Sequence, residues 1–203
     1  LRLEEALVSY RQAIAINPNY AEAQSNLGNS LQELGRFDEA EASYRQAIAL
    51  KPGFAGAHNN LGITLQEQGK LDEAEASYTQ AIALKPDHAE VHNNLGNTLQ
   101  ERGDLDAAFE SYKQALNITP DYAEVWNNLK YLLPAIQQQG PAVDKLLSGL
   151  NLQTDSKYVQ IAQSILSFSL HQGGKNAESA LNKVCCLLSK TDNRIITNPE
   201  VTN

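Results

Sequence analysis

The sequence predicts an all-α solenoid of stacked antiparallel helix pairs. Three observations carry that expectation. Pro18, Pro52, Pro86 and Pro120 follow one another at intervals of 34 residues, and a fixed period of this size marks an array of small units rather than one closed core. The units share their wording, residues 21–54 and 55–88 being identical at 23 of 34 positions. Within each unit, apolar and small residues recur at helical spacing, with Gly and Pro as punctuation.

Composition narrows the function classes. A length of 203 residues alone would suggest one or two globular domains. A net charge of −8 and a pI near 5.0 argue against a basic nucleic-acid footprint. No run of 18 apolar residues occurs, so no membrane span is expected. Two Cys make no disulfide framework. A mean hydropathy of −0.41 with 42% hydrophobic residues fits a folded, soluble chain. The chain starts at Leu1 without Met or a signal-like stretch, and is expected to be a piece of a longer protein.

The elements follow in order. Residues 1–20 match the second half of a unit. Full units occupy 21–54, 55–88 and 89–122, and 123–133 match the first helix of a fourth, so the array covers 1–133. In the first helix of a unit, Gln24, Leu27, Gly28 and Leu31 fall on one face. Gly35, Gly69 and Gly103 end these helices. Asp38 and Glu39 open the second helix, where acids suit the helix dipole. Its apolar stripe is Ala40, Tyr44, Ala47 and Ile48, and Pro52 stops it. So short a pair must stack on its neighbours to bury its stripes. Gly28, Gly62 and Gly96 sit inside helices, which is unfavourable, so the two helices of a unit are expected to approach too closely there for a side chain. Beyond Leu133 the period fails. Residues 134–189 are expected to form a degenerate helical cap, with helices at 142–150, 156–171 and 176–189, and 190–203 a polar tail or linker.

The recurring positions resemble the tetratricopeptide repeat (TPR) family. Leu27, Leu61, Leu95 and Leu129 repeat, as do Ala6, Ala40, Ala74 and Ala108, then Tyr10, Tyr44, Tyr78 and Tyr112, and Ala13, Ala47, Ala81 and Ala115. The family's Trp appears once, as Trp126, with Gln24, His58 and His92 in its place elsewhere. The wording N-L-G-N is similar to the TPR arm of O-linked N-acetylglucosamine transferases. The resemblance implies a right-handed superhelix whose concave groove is lined by one face of each first helix. On that face lie Glu22, Ser25, Asn26, Asn29, Gln32 and Glu33 and their equivalents.

The repeated feature of the face is an amide row, Asn26, Asn60, Asn94 and Asn128. A carboxamide both donates and accepts, so it can hold a peptide group through two bonds. Helices packed roughly 8–10 Å apart and a peptide rising about 3.3 Å per residue bring one Asn to every third residue or so. Such a ladder is similar to that of the transferase arm, and suits an extended peptide held with little side-chain specificity. Asn29, Asn97, Asn59, Asn93, Asn127 and Tyr131 are further groove candidates, although Ile63 interrupts the Asn29 row. The competing reading is that these Asn bridge neighbouring helices or face water. Chaperone-tail TPRs clamp a terminal carboxylate with Lys and Arg. Here Ser25, Asn59 and Asn93 stand at the first cation position and Glu90, Glu124 and Asn94 at the others, so the groove should repel a carboxylate.

No catalytic constellation is evident, and no cofactor or metal is expected. His88 and His92 have helical metal-pair spacing, but His92 occupies the packing position of Trp126. Cys185 and Cys186 read as buried thiols. Asn117 begins a formal glycosylation sequon at a helix end. The sequence therefore predicts a non-catalytic, cytoplasmic module that binds a protein or peptide segment in its groove, with no nucleic-acid or membrane partner. Two alternatives stay open: a substrate-recruiting arm of a larger transferase, and a self-associating scaffold.

Overall fold

The structure is a computed structural model that describes residues 2–119, 122–125, 127–129 and 132. The predicted cap and tail beyond Leu133, Cys185, Cys186, Trp126 and Tyr131 lie outside these residues. The chain divides into two compact units, Leu1–Ser111 and Tyr112–Asn203. The described secondary structure is entirely helical: α1 (Arg2–Ile16), α2 (Ala21–Glu33), α3 (Phe37–Leu50), α4 (Ala55–Glu67), α5 (Leu71–Leu84), α6 (Ala89–Arg102) and α7 (Leu105–Ile118). Residues 123–125 and 127–129 are helical as well.

In the first unit each helix packs on the next, α1 on α2 through to α5 on α6, which makes a solenoid of helix pairs. The turns obey the sequence. Gly35, Gly69 and Gly103 have φ of +72°, +73° and +93°, the left-handed region that glycine enters without a Cβ penalty. That turn lets the amides of Arg36, Lys70 and Asp104 return to the carbonyls of Leu31, Leu65 and Leu99 at 2.9, 2.8 and 2.9 Å, closing the orphaned helix ends.

One apolar core runs through this unit, with Leu7, Leu31, Tyr44, Leu65, Tyr78 and Val91 buried along it. The glycine expectation holds at two positions. A Cβ on Gly28 would sit 2.7 Å from Tyr44 Cε1, and one on Gly62 would sit 2.6 Å from Tyr78 Cε1. The ring of the second helix thus lies flat on the backbone of the first. In the second unit, Tyr112, Ala115, Leu116, Val125, Leu129 and Leu132 are buried.

Ion pairs tie successive repeats along the second helices. The Glu41 carboxylate accepts from Lys70 Nζ at 2.8 Å and from Arg45 Nε at 2.8 Å, and Arg45 reaches on to Glu73 at 2.7 Å. One period later Asp104 replaces Lys70 and Glu75 replaces Glu41, which would set two acids together. Arg102 resolves the conflict. It stands where Gln68 stands one unit earlier and bonds Asp104, Asp72 and Glu75 together. The Lys70 hydrogen bond, then that of Arg45, holds the Glu41 carboxyl below its usual range. A depressed carboxylate lends stability that is complete above its unfolded pKa, about 4.3, and lost as pH falls through the lower folded value. Glu41→Gln should therefore cost about 0.5–1 kcal/mol at pH 7. Urea midpoints of wild type and variant should converge in acid.

Candidate functional site

The first helices of consecutive pairs approach closely, α2 with α4 and α4 with α6, whereas α3 reaches α5 through the long side chains of the Arg45–Glu73 ion pair. This difference puts α2, α4 and α6 on the inner side of the first unit. The side chains that face one another there are amides, hydroxyls and phenols.

Each step between repeats is bridged by these groups. Asn29 Oδ1 accepts from the Tyr44 hydroxyl at 2.7 Å and from Asn60 Nδ2 at 2.8 Å. Gln32 Oε1 accepts from the Thr64 hydroxyl at 3.0 Å and lies 3.1 Å from the Tyr44 hydroxyl, whose one proton goes to the nearer Asn29. The next step keeps half of this pattern. Gln66 Oε1 accepts from Thr98 at 2.9 Å and from Tyr78 at 3.3 Å. Ile63 stands where Asn29 stood, so Asn94 has no equivalent acceptor. Its Nδ2 donates instead to Asn59 Oδ1 at 3.2 Å, and Asn59 Nδ2 donates to Asn60 Oδ1 at 3.2 Å. Burial pushes the Tyr44 and Tyr78 phenols well above their usual range, so both remain neutral donors at physiological pH.

The predicted site residues separate by exposure. Asn26 is exposed, and no described group bonds its carboxamide. Asn60 and Asn94 are half-buried. Asn60 donates to Asn29, accepts from Asn59 and also reaches the Tyr44 phenol, which leaves one lone pair on its oxygen. Asn94 uses one N–H and keeps the other together with its carbonyl oxygen. Asn59 and Asn93 are 5% and 0% exposed, and Asn59 serves as a relay between the two ladder amides. Asn29 and Asn97 are half-buried, Asn29 as the acceptor described above. In the second unit Asn127 is exposed and Asn128 half-buried. The bridging role is the one these bonds display directly. The amides bridge helices, and three of them retain open bonding capacity.

Register already puts Gln32 and Gln66 on this face, but it does not point to the supporting Tyr and Thr groups. Their one signal in the sequence is the return of a hydroxyl at Ser30, Thr64 and Thr98 in an otherwise apolar register. The histidines serve the fold as well. His58 Nε2 lies 3.1 Å from the Pro52 carbonyl, and His92 Nε2 lies 3.0 Å from that of Pro86. Each ring thereby fastens a first helix to the turn before it. Among the described residues no group of three or more His, Cys, Asp or Glu could hold a metal ion, and no helix is long and apolar enough to cross a membrane. A cavity of about 430 Å³ lies at the other side of the helices, floored by Ile48, Leu61, Leu65 and Ala76.

Comparisons with known proteins agree with this architecture. A family profile described as "Tetratricopeptide repeat" matches residues 54–131, and one described as "TPR repeat" matches 2–35 and 28–69. No curated protein shows significant similarity to the chain. Among solved structures, a crystal structure of MamA is 20% identical, with a TM-score of 0.60 over 93% of this chain and 90% of that one. A second, of MamA protein, is 21% identical, with a TM-score of 0.65 over 73% and 79%. The first TPR of Spaghetti (RPAP3), bound to the HSP90 peptide SRMEEVD, is 22% identical, with a TM-score of 0.57 over 58% of this chain and 93% of that one. At these identities the likeness is one of fold. TPR domains mediate protein–protein interactions and are generally non-catalytic. With both profiles together spanning residues 2–131, the chain belongs to the tetratricopeptide repeat family.

Proposed function

We propose that the chain binds an extended peptide segment along the inner face of α2, α4 and α6, with Asn26, Asn60 and Asn94 holding the peptide backbone. The observation that carries this reading is the spare hydrogen-bonding capacity of three amides in register. The bonds of Asn60 to Asn29 and of Asn94 to Asn59 fix each carboxamide at one end. Less side-chain freedom then remains to be lost when a ligand docks. That a protein of similar fold was solved with the peptide SRMEEVD bound adds support for a peptide as the class of ligand.

Side-chain amide NMR tests the proposal. Titration with a neutral extended peptide of about twelve residues, long enough for three rungs or more, should shift the carboxamide signals of Asn26, Asn60 and Asn94. Shifts confined to α3 and α5 would show that the ligand sits elsewhere and would overturn the reading.

A further inference from the structure

The first helices carry acids where helices disfavour them. α2 and α4 end on Glu33 and Glu67, and Glu101 is the next-to-last residue of α6. A helix C-terminus bears partial negative charge, which favours Lys or Arg and opposes Glu. Neither α2 nor α4 has a basic residue in its last turn. The same local rule is broken at one position in three successive units, and such breaks belong to functional sites more often than to scaffolds.

The acids of α3 and α5 are treated differently. Glu39, Glu41, Asp72, Glu73 and Glu75 each meet an Arg or Lys, and Asp38 accepts from Gln68 at 2.8 Å. Among the described residues no Lys or Arg pairs with Glu33, Glu67 or Glu101. Glu101 accepts a bond from the neutral Gln66 amide at 3.2 Å, which places it on the wall of the amide row. The one Arg or Lys on these three helices, Arg102, is committed to Asp72, Glu75 and Asp104. Asn26, Asn29 and Glu33 are spaced i, i+3 and i+7, as are Asn94, Asn97 and Glu101, so acids and amides share one stripe. Their field reaches the wall: after burial, Glu33 contributes to the raised Tyr44 phenol, and Glu67 to that of Tyr78.

We propose that this face selects an extended peptide with Lys or Arg at every third residue, its cations set against Glu33, Glu67 and Glu101. The proposal rests on the groove reading above and names the ligand's charge pattern. Helices roughly 8–10 Å apart and a rise of about 3.3 Å per residue give acids and amides the same step along the ligand. Each unit would then supply one carboxylate for a side chain and one amide for the backbone.

Fluorescence anisotropy with the full chain separates the outcomes. The probes are labelled peptides made of repeated Lys-Ser-Ala, Gln-Ser-Ala or Glu-Ser-Ala triplets. At low salt the Lys peptide should bind about 10-fold more tightly than the Gln peptide, and the Glu peptide should bind most weakly. The Lys preference should shrink as salt rises. The triple variant Glu33→Gln, Glu67→Gln, Glu101→Gln should lose the preference. It should melt no lower than wild type, because the lost charges oppose their helix ends. Equal binding of the Lys and Gln peptides, or a preference kept by the triple variant, overturns the selectivity while leaving the groove standing. Failure of all three peptides to bind overturns the groove reading, and the selectivity with it.

Discussion

Tyr78→Ala should destabilise the chain by about 3–5 kcal/mol, as expected for a large aromatic removed from a packed core. Tyr78 is fully buried, its ring covers the Gly62 backbone, and its hydroxyl bonds Gln66 at 3.3 Å. Gly62→Ala should cost about 1–3 kcal/mol by overpacking, because the new methyl would sit 2.6 Å from a fully buried ring that must shift to admit it. In the Tyr78→Ala background the sign should reverse. The methyl then enters vacated space, and Ala is favoured over Gly inside a helix by up to about 1 kcal/mol. Urea unfolding of the four proteins in the cycle measures this coupling. An equal cost of Gly62→Ala in both backgrounds would show that close approach is not what holds glycine there.

The same pair shows why so much of the fold could be read from the sequence. A helix-interior glycine and a Tyr sixteen positions later return together at 28 and 44 and at 62 and 78. Packing that close leaves a mark at each repeat. The proline stops and the left-handed glycines are equally local, and they fall where the period puts them. The polar network was less legible. Tyr44 and Tyr78 read as members of an apolar stripe, which they are, but the phenol oxygens emerge on the inner face, where amides receive them. No periodic pattern of one helix reveals that, because the bonds run between α2, α3 and α4. The single change from Asn29 to Ile63 reroutes Asn94 to Asn59, so an even row of letters becomes an uneven row of bonds. Asn59 and Asn93 looked like groove residues by register. They are buried because the first helices of neighbouring pairs press together.

The second large effect concerns binding. Asn60→Ala with Asn94→Ala should weaken a neutral extended peptide by about 1–3 kcal/mol for each amide that loses buried bonds. Part of the change will appear in stability, since Asn60 also bridges to Asn29 and accepts from buried Asn59. Arg45→Ala provides the contrast. It removes the ion pairs to Glu41 and Glu73 on α3 and α5, so it should lower the urea midpoint and leave peptide affinity alone.

Calorimetric titration of that peptide into wild type, the Asn60→Ala, Asn94→Ala variant and Arg45→Ala is the most direct test of the amide row as a peptide site. The expected result is an affinity lower by about 10-fold or more in the asparagine variant and unchanged in Arg45→Ala. Equal affinity in all three proteins would contradict it.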